Sequence, residues 1–269
     1  MQPNHHVIVD IGGVAVRLTC ADRALAPILE RRFGRFLNPS ARPAFEFEIT
    51  LITNQDDLDG DEDLRVETAN GRWIAKRGDF HAEWSVAERT GRIWQTPNPY
   101  AIDSILRVVH TLVLASEGEG FLLHASSAVR DGRAYVFTGP SGAGKSTIVR
   151  LAPGDVTILT DEISYIRKAR DGAGYTAFGT PFAGELSDVG APVNAPVEAL
   201  FRLGRGDDNR HERLDAPRAV RTLMRNILFF ADDRTLVGRV FDTAVDFVRR
   251  IPAFELKFAP DARVWSTLQ

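Results

Sequence analysis

Cysteine is nearly absent from this 269-residue chain, and Cys20 is the single instance. One cysteine excludes an intramolecular disulfide framework. Long apolar runs are missing too. The most apolar stretch, 105–115, is interrupted by Arg107, His110 and Thr111 and falls well short of the ~20 residues a membrane-spanning helix needs. The opening residues, Met1 to His6, lack the charged-then-apolar layout of a signal peptide. These absences together predict a cytoplasmic protein with no membrane partner. There is no basic excess either: the formal net charge is -3 and the pI about 6.1, so no nucleic acid partner is expected.

Lysine is the last scarcity. Four of the 33 basic residues are lysines, at 76, 145, 168 and 257. One of the four falls where lysine chemistry is required. Gly139, Pro140, Ser141, Gly142, Ala143, Gly144, Lys145, Ser146 and Thr147 follow the apolar run 134–137 and match the phosphate-loop pattern G-x-x-x-x-G-K-[ST] at every fixed position. Glycine permits the tight backbone that turns successive N–H groups toward phosphate oxygens. A helix starting near Lys145 and running to about Leu151 adds the positive end of its dipole. Lys145 supplies a mobile cation for the β and γ phosphates, and Ser146 a hydroxyl ligand for Mg²⁺. The expected cofactors are ATP and Mg²⁺.

The fold class expected is α/β (α+β), with a small β-rich N-terminal module followed by a P-loop kinase domain. Residues 1–98 read as the small α+β module, suited to substrate recognition or assembly. In it, Val7 to Thr19 is strand broken by Gly12 and Gly13, and Leu25, Ile28, Leu29, Phe33 and Phe36 recur at helical spacing. Phe45, Phe47, Ile49 and Leu51 alternate with polar residues as a half-buried strand, expected to be antiparallel. A meander of hairpins follows between Trp73 and Trp94. The acidic stretch 54–70 lacks the EF-hand spacing, since Gln55 and Val66 occupy two of its ligand positions, and reads as a solvated loop. Residues 99–118 read as a connecting helix with Ile102, Ile105, Leu106, Val109, Leu112 and Val113 on one face, and 119–269 as the P-loop domain.

Within that last domain, 121–129 is a strand, Asp131 and Gly132 a tight hairpin turn, and 134–138 the strand feeding the loop. The next strand, 156–160, delivers Asp161 and Glu162. A nucleotide-dependent phosphotransferase needs a carboxylate near the phosphates to hold Mg²⁺ or accept a proton. Asp161, one helix and one strand beyond Lys145, is the first candidate for both. By register His124 can approach the loop or the acid pair.

The segments Leu122 to Val129 with His124, Phe137 to Thr147, and Ile158 to Glu162 resemble in order and spacing the catalytic domain of HPr kinase/phosphorylase. The resemblance is concentrated in 119–165. It implies a nucleotide site like that of ATP-dependent phosphoenolpyruvate carboxykinase, in which His124 orients the acid while Asp161 and Glu162 share the metal and base roles. It also implies serine phosphorylation of a peptide or protein, and the segment from Gly179 to Glu185 looks like that of HPr-kinase-related proteins that include lasso peptide precursor kinases. The family pattern departs at Pro140, at Glu162 and in its later arginine- and glycine-rich signature, which argues against a phosphorylase. HPr kinase relatives form hexamers, so what the resemblance implies for assembly is a homo-oligomer, while the residues themselves do not reveal the number of subunits.

Further on, 165–168 and 175–178 read as a hairpin, and 179–197, with Pro181, Pro192 and Pro196, as an irregular substrate-facing segment carrying Glu185. Asp215 caps a helix with Pro217 in its first turn and Val220, Leu223, Met224, Ile227 and Leu228 on its core face. Arg218, Arg221 and Arg225 lie beside that face, where Arg221 and Arg225 are candidates for holding an anionic substrate. The expected activity is an ATP-dependent serine kinase. The alternatives are a kinase for a small hydroxylated metabolite and an ATP-binding switch without transfer.

Overall fold

The computed structural model describes residues 5–52, 63–182 and 190–268. The chain is mixed α+β and strand-rich, with two sheets. It divides into two compact units, one comprising residues 1–110 with 229–233, the other 111–228 with 234–269.

The first unit opens with β1 (His5–Ile11) and β2 (Val14–Cys20), paired antiparallel through a turn whose Gly12 and Gly13 have φ of 62° and 79°. Such dihedrals cost a Cβ-bearing residue strain that glycine escapes. Helix α1 (Leu25–Phe33) then buries Leu25, Leu29 and Phe33. The strand β3 (Phe45–Leu51) has the predicted alternation, with Phe45, Phe47 and Ile49 buried between exposed glutamates. Its direction differs from the expectation: β3 pairs parallel to β2 on one edge and parallel to β7 (Thr90–Gln95) on the other. Alternation reports which face is buried and carries no information on the neighbour's direction. The intervening helix α1 makes β2–α1–β3 a crossover unit, which returns the chain parallel.

β4 (Arg65–Ala69), β5 (Arg72–Arg77), β6 (Phe80–Ser85) and β7 form the meander of antiparallel hairpins, completing the order β1-β2-β3-β7-β6-β5-β4. β4 lies in the stretch assigned to a solvated loop, because its mostly exposed sequence has little apolar signal and its order comes from pairing with β5. The acidic residues from Asp56 to Glu62 lie outside the described residues.

Helix α2 (Pro99–Glu117) carries the boundary between the units, at His110 and Thr111. Within the first unit, its Asp103 forms an ion pair with Arg32 of α1, both largely buried. No helix among the described residues is long and apolar enough to cross a membrane.

The second unit is built on β8 (Gly120–Arg130) and β9 (Arg133–Thr138), joined by the predicted turn, with φ of 52° at Asp131 and 73° at Gly132. The short helix α3 (Lys145–Arg150) follows the glycine-rich loop. Then come β10 (Thr157–Thr160), β11 (Ile163–Lys168) and β12 (Tyr175–Phe178), the last two forming the predicted hairpin. The long strand β13 (Asn194–Arg205) begins inside the stretch read as irregular, where Pro192 and Pro196 masked it. β14 (Arg210–Arg213), α4 (Ala216–Met224), α5 (Arg234–Arg250), β15 (Ala253–Phe258) and α6 (Val264–Thr267) complete the unit.

Five strands close on themselves: β8 pairs β11, β11 pairs β12, β12 pairs β13, β13 pairs β9, and β9 returns to β8. The result is a small barrel, extended by β10 along β8 and by β15 and β14 beyond β13. One apolar cluster includes Phe121, Leu123, Val136 and Leu200 with Leu223 of α4 and Phe247 of α5. A second, with Phe137, Ile148, Phe201 and Trp265, packs beneath α3. Trp265 Nε1 donates to the carbonyl of Ile148 at 3.1 Å, tying α6 to that helix.

Candidate functional site

β9 carries the chain through the barrel wall and releases it at Gly139. Gly139, Gly142 and Gly144 have φ of 156°, 75° and 104°. At Gly144 the requirement is double, because a Cβ there would come within 2.7 Å of the Phe258 ring. Gly144→Ala therefore combines backbone strain with a clash, and is expected to lower Tm, which thermal unfolding checks. α3 starts at Lys145 and ends at Arg150 with Leu151 as its C-cap, as expected from the sequence.

Lys145 is 9% exposed, and its Nζ donates to the carbonyls of Gly139 at 3.0 Å and Pro140 at 3.3 Å, folded back over its own loop. Ser126 Oγ donates to the Lys145 carbonyl at 3.3 Å, which fixes the first turn of α3 against β8.

The acid pair sits where β10 passes into β11. Both strands run antiparallel to β8 and keep one register across the break, with Thr160 opposite Ser127 and Ile163 opposite His124. Counting along that register puts Asp161 opposite Ser126. Ser126 and His124 are two residues apart, on one face of β8, so Asp161 and His124 belong to the same face. The bend is held by Thr160 Oγ1, which accepts from the N–H groups of Glu162 and Ile163, both at 3.2 Å. Ala125 N–H donates to the Glu162 carbonyl at 2.9 Å. Asp161 is 5% exposed and Glu162 half-buried. His124 is anchored through its backbone: its N–H donates to the Asn226 carbonyl at 2.7 Å, and its carbonyl accepts from Thr138 Oγ1 at 2.9 Å.

A cleft of about 500 Å³ is lined by Ser141, Gly142, Gly144, Lys145, Ser146 and Thr147. His124, Asp161 and Glu162 line the same cleft. Six of the nine loop residues thus share one cavity with the histidine and the two carboxylates. Arg150 also lines it and was missed in sequence. Its signal was the spacing: four residues past Ser146, it falls on the same helix face. Thr160, Thr138 and Ser126 were missed as well, since single hydroxyls in apolar strands carry no pattern.

Gly139 and Pro140 border a different cavity, together with Arg221 and Arg225. Ala143 is buried, its methyl in the cluster beneath the loop. The structure does not bring Arg221 and Arg225 into the cleft of Lys145 and Asp161. Glu185 lies outside the described residues.

Fold and cleft define a two-unit, strand-rich α+β protein whose second unit presents a glycine-rich loop beside two carboxylates and a histidine. The chain belongs to the family of the SynChlorMet cassette protein ScmC, whose family model matches residues 95–269. No curated protein matches the chain. The family match corrects the resemblance drawn from sequence, since it falls on this family and not on an HPr kinase family. The segments on which that resemblance rested are confined to 119–165. β13, α5 and β15, which build much of the second unit, lie beyond them.

Proposed function

We propose that the second unit is an ATP- and Mg²⁺-dependent phosphotransferase of P-loop type, whose acceptor is a hydroxyl, in the first place a serine of a peptide or protein. The observation that carries the reading is the single cleft shared by Lys145, Ser146, Asp161, Glu162 and His124. Its residues fit the ligands. Positive φ at three loop glycines leaves backbone N–H groups unobstructed for phosphate oxygens. Mg²⁺ takes one or two carboxylates together with phosphate oxygens, and Ser146 with Asp161 offers a hydroxyl and a carboxylate in one cleft. Bound there, the metal supplies charge neutralisation at the phosphoryl oxygens.

The protein's own groups do the rest. Lys145 exchanges the carbonyls of Gly139 and Pro140 for the β and γ phosphates, a swap within reach of one flexible side chain. Arg150 adds a second cation at the same cleft. The carboxylates of Asp161 and Glu162 provide a metal ligand and a proton acceptor, and His124 orients them from β8. The acceptor hydroxyl gives its proton to a carboxylate as its oxygen bonds the γ phosphorus and the bond to the bridging oxygen breaks.

Lys145→Ala removes charge-assisted hydrogen bonds to phosphate and should weaken MgATP binding by about 10- to 100-fold, measured by titration with a fluorescent nucleotide analogue. Phosphorylation of a serine peptide library with ATP and Mg²⁺ tests the transfer itself. A wild-type protein that binds no nucleotide at millimolar MgATP overturns the reading.

A further inference from the structure

On the other side of the phosphate loop lies a cavity of about 430 Å³, bordered by Gly139 and Pro140 and lined by Arg202, Arg218, Arg221 and Arg225. Arg202 comes from β13, and the other three from α4 and its C-cap. One carboxylate offsets this charge. Glu255 pairs with Arg202 at 3.2 Å and with Arg218 at 3.8 Å. Among the described residues no carboxylate lies within ion-pair distance of Arg221 or Arg225, and both are exposed. Four guanidinium groups against one carboxylate leave the cavity strongly positive.

The charges form a line. Residues 218, 221 and 225 are three and four apart, one stripe of a helix, and span about 10 Å along its axis. A point anion such as phosphate engages one or two such groups. An extended chain presents every second side chain on one side, about 7 Å apart, so two alternating acidic residues meet successive arginines in bidentate geometry. The stripe also points to the reaction cleft. Its C-terminal end is Arg225, and the carbonyl of the next residue, Asn226, accepts the N–H of His124. Gly139 and Pro140, which border the arginine cavity, are the residues whose carbonyls hold Lys145.

We propose that the arginine cavity between α4 and the phosphate loop is the acceptor subsite, and that it takes an acidic, extended peptide segment next to the phosphorylated hydroxyl. The assignment rests on the phosphotransferase reading for the hydroxyl, whereas the anion preference rests on the arginines alone.

The test uses the full-length protein and three fluorescein-labelled peptides with a central serine, flanked at alternate positions by glutamate, glutamine or lysine. Anisotropy should rank glutamate above glutamine above lysine, with the difference shrinking as salt rises. The double variant Arg221→Gln with Arg225→Gln, both positions exposed and so tolerant, should lose about fivefold to tenfold of the affinity for the glutamate peptide. Reversal with Arg221→Glu and Arg225→Glu should move the preference to the lysine peptide. Equal affinity for all three peptides, or a glutamate preference that survives the double glutamine change, overturns the subsite. So does full displacement by inorganic phosphate at a few times the peptide concentration, which would mark a point-anion site. Lys145→Ala, run in parallel, separates the two readings: it should lose nucleotide while keeping the glutamate peptide. Peptide binding by a wild type that takes no ATP sinks the phosphotransferase and leaves the arginine subsite standing.

Discussion

Asp161→Asn should lower phosphoryl transfer by about 10²- to 10⁴-fold, the range for losing a positioned proton acceptor, while MgATP still binds within about tenfold of wild type. The two effects separate because, in the proposed function, the loop N–H groups and Lys145 hold the triphosphate and Asp161 acts at the reacting end. Asparagine keeps the shape of the side chain at a position 5% exposed, so the bend held by Thr160 Oγ1 is preserved. It neither accepts the proton nor matches a carboxylate as a metal ligand. Single-turnover transfer alongside nucleotide titration reads both quantities. A variant that keeps more than about a tenth of wild-type transfer removes Asp161 from the chemistry.

Asp103→Ala should destabilise the first unit by about 3–5 kcal/mol, seen in urea unfolding. Asp103 and Arg32 pair with side-chain exposures of 6% and 13%, and the guanidinium also lies 5.6 Å from the Tyr100 ring centroid. Removing the carboxylate strands a buried cation, which costs more than the pair contributes. Burial raises the Asp103 pKa, opposed by the hydrogen bond and charge of Arg32 and by the charge of Arg107. The folded carboxyl therefore takes up its proton at higher pH than the unfolded one, near 3.9. Its contribution to stability is greatest below that unfolded value and falls as pH rises through the folded value. Replacing both partners by hydrophobes, Arg32→Met with Asp103→Leu, should recover most of the loss, because desolvation is then removed together with attraction. A single variant as stable as wild type would contradict the buried-pair account.

What could be read in the sequence was local. The Asp131 and Gly132 turn, the capped helix at Asp215, whose Oδ1 accepts the Arg218 N–H at 2.8 Å, and the glycine-rich loop each depend on a few neighbouring residues. Long-range pairing was not legible. The parallel neighbours of β3 and the closure of the barrel by β13 join segments far apart in sequence, and nothing within either segment encodes its partner. In the site, the loop and the acid pair were visible because their residue types are demanded at fixed spacing. Arg150 was seen only in three dimensions. So was the separation of Arg221 and Arg225 from the Lys145 cleft, which follows from where α4 packs on the barrel. The HPr kinase resemblance drew on the segments that chemistry constrains most and on little of the framework holding them.

We propose the cleft around Lys145 and Asp161 as a MgATP site. Calorimetric titration of MgATP into the full-length protein, with Lys145→Ala as the paired control, addresses it most directly. The expected result is saturable one-to-one binding that the variant weakens by about 10- to 100-fold. No binding at millimolar MgATP, or equal binding by both proteins, would contradict it.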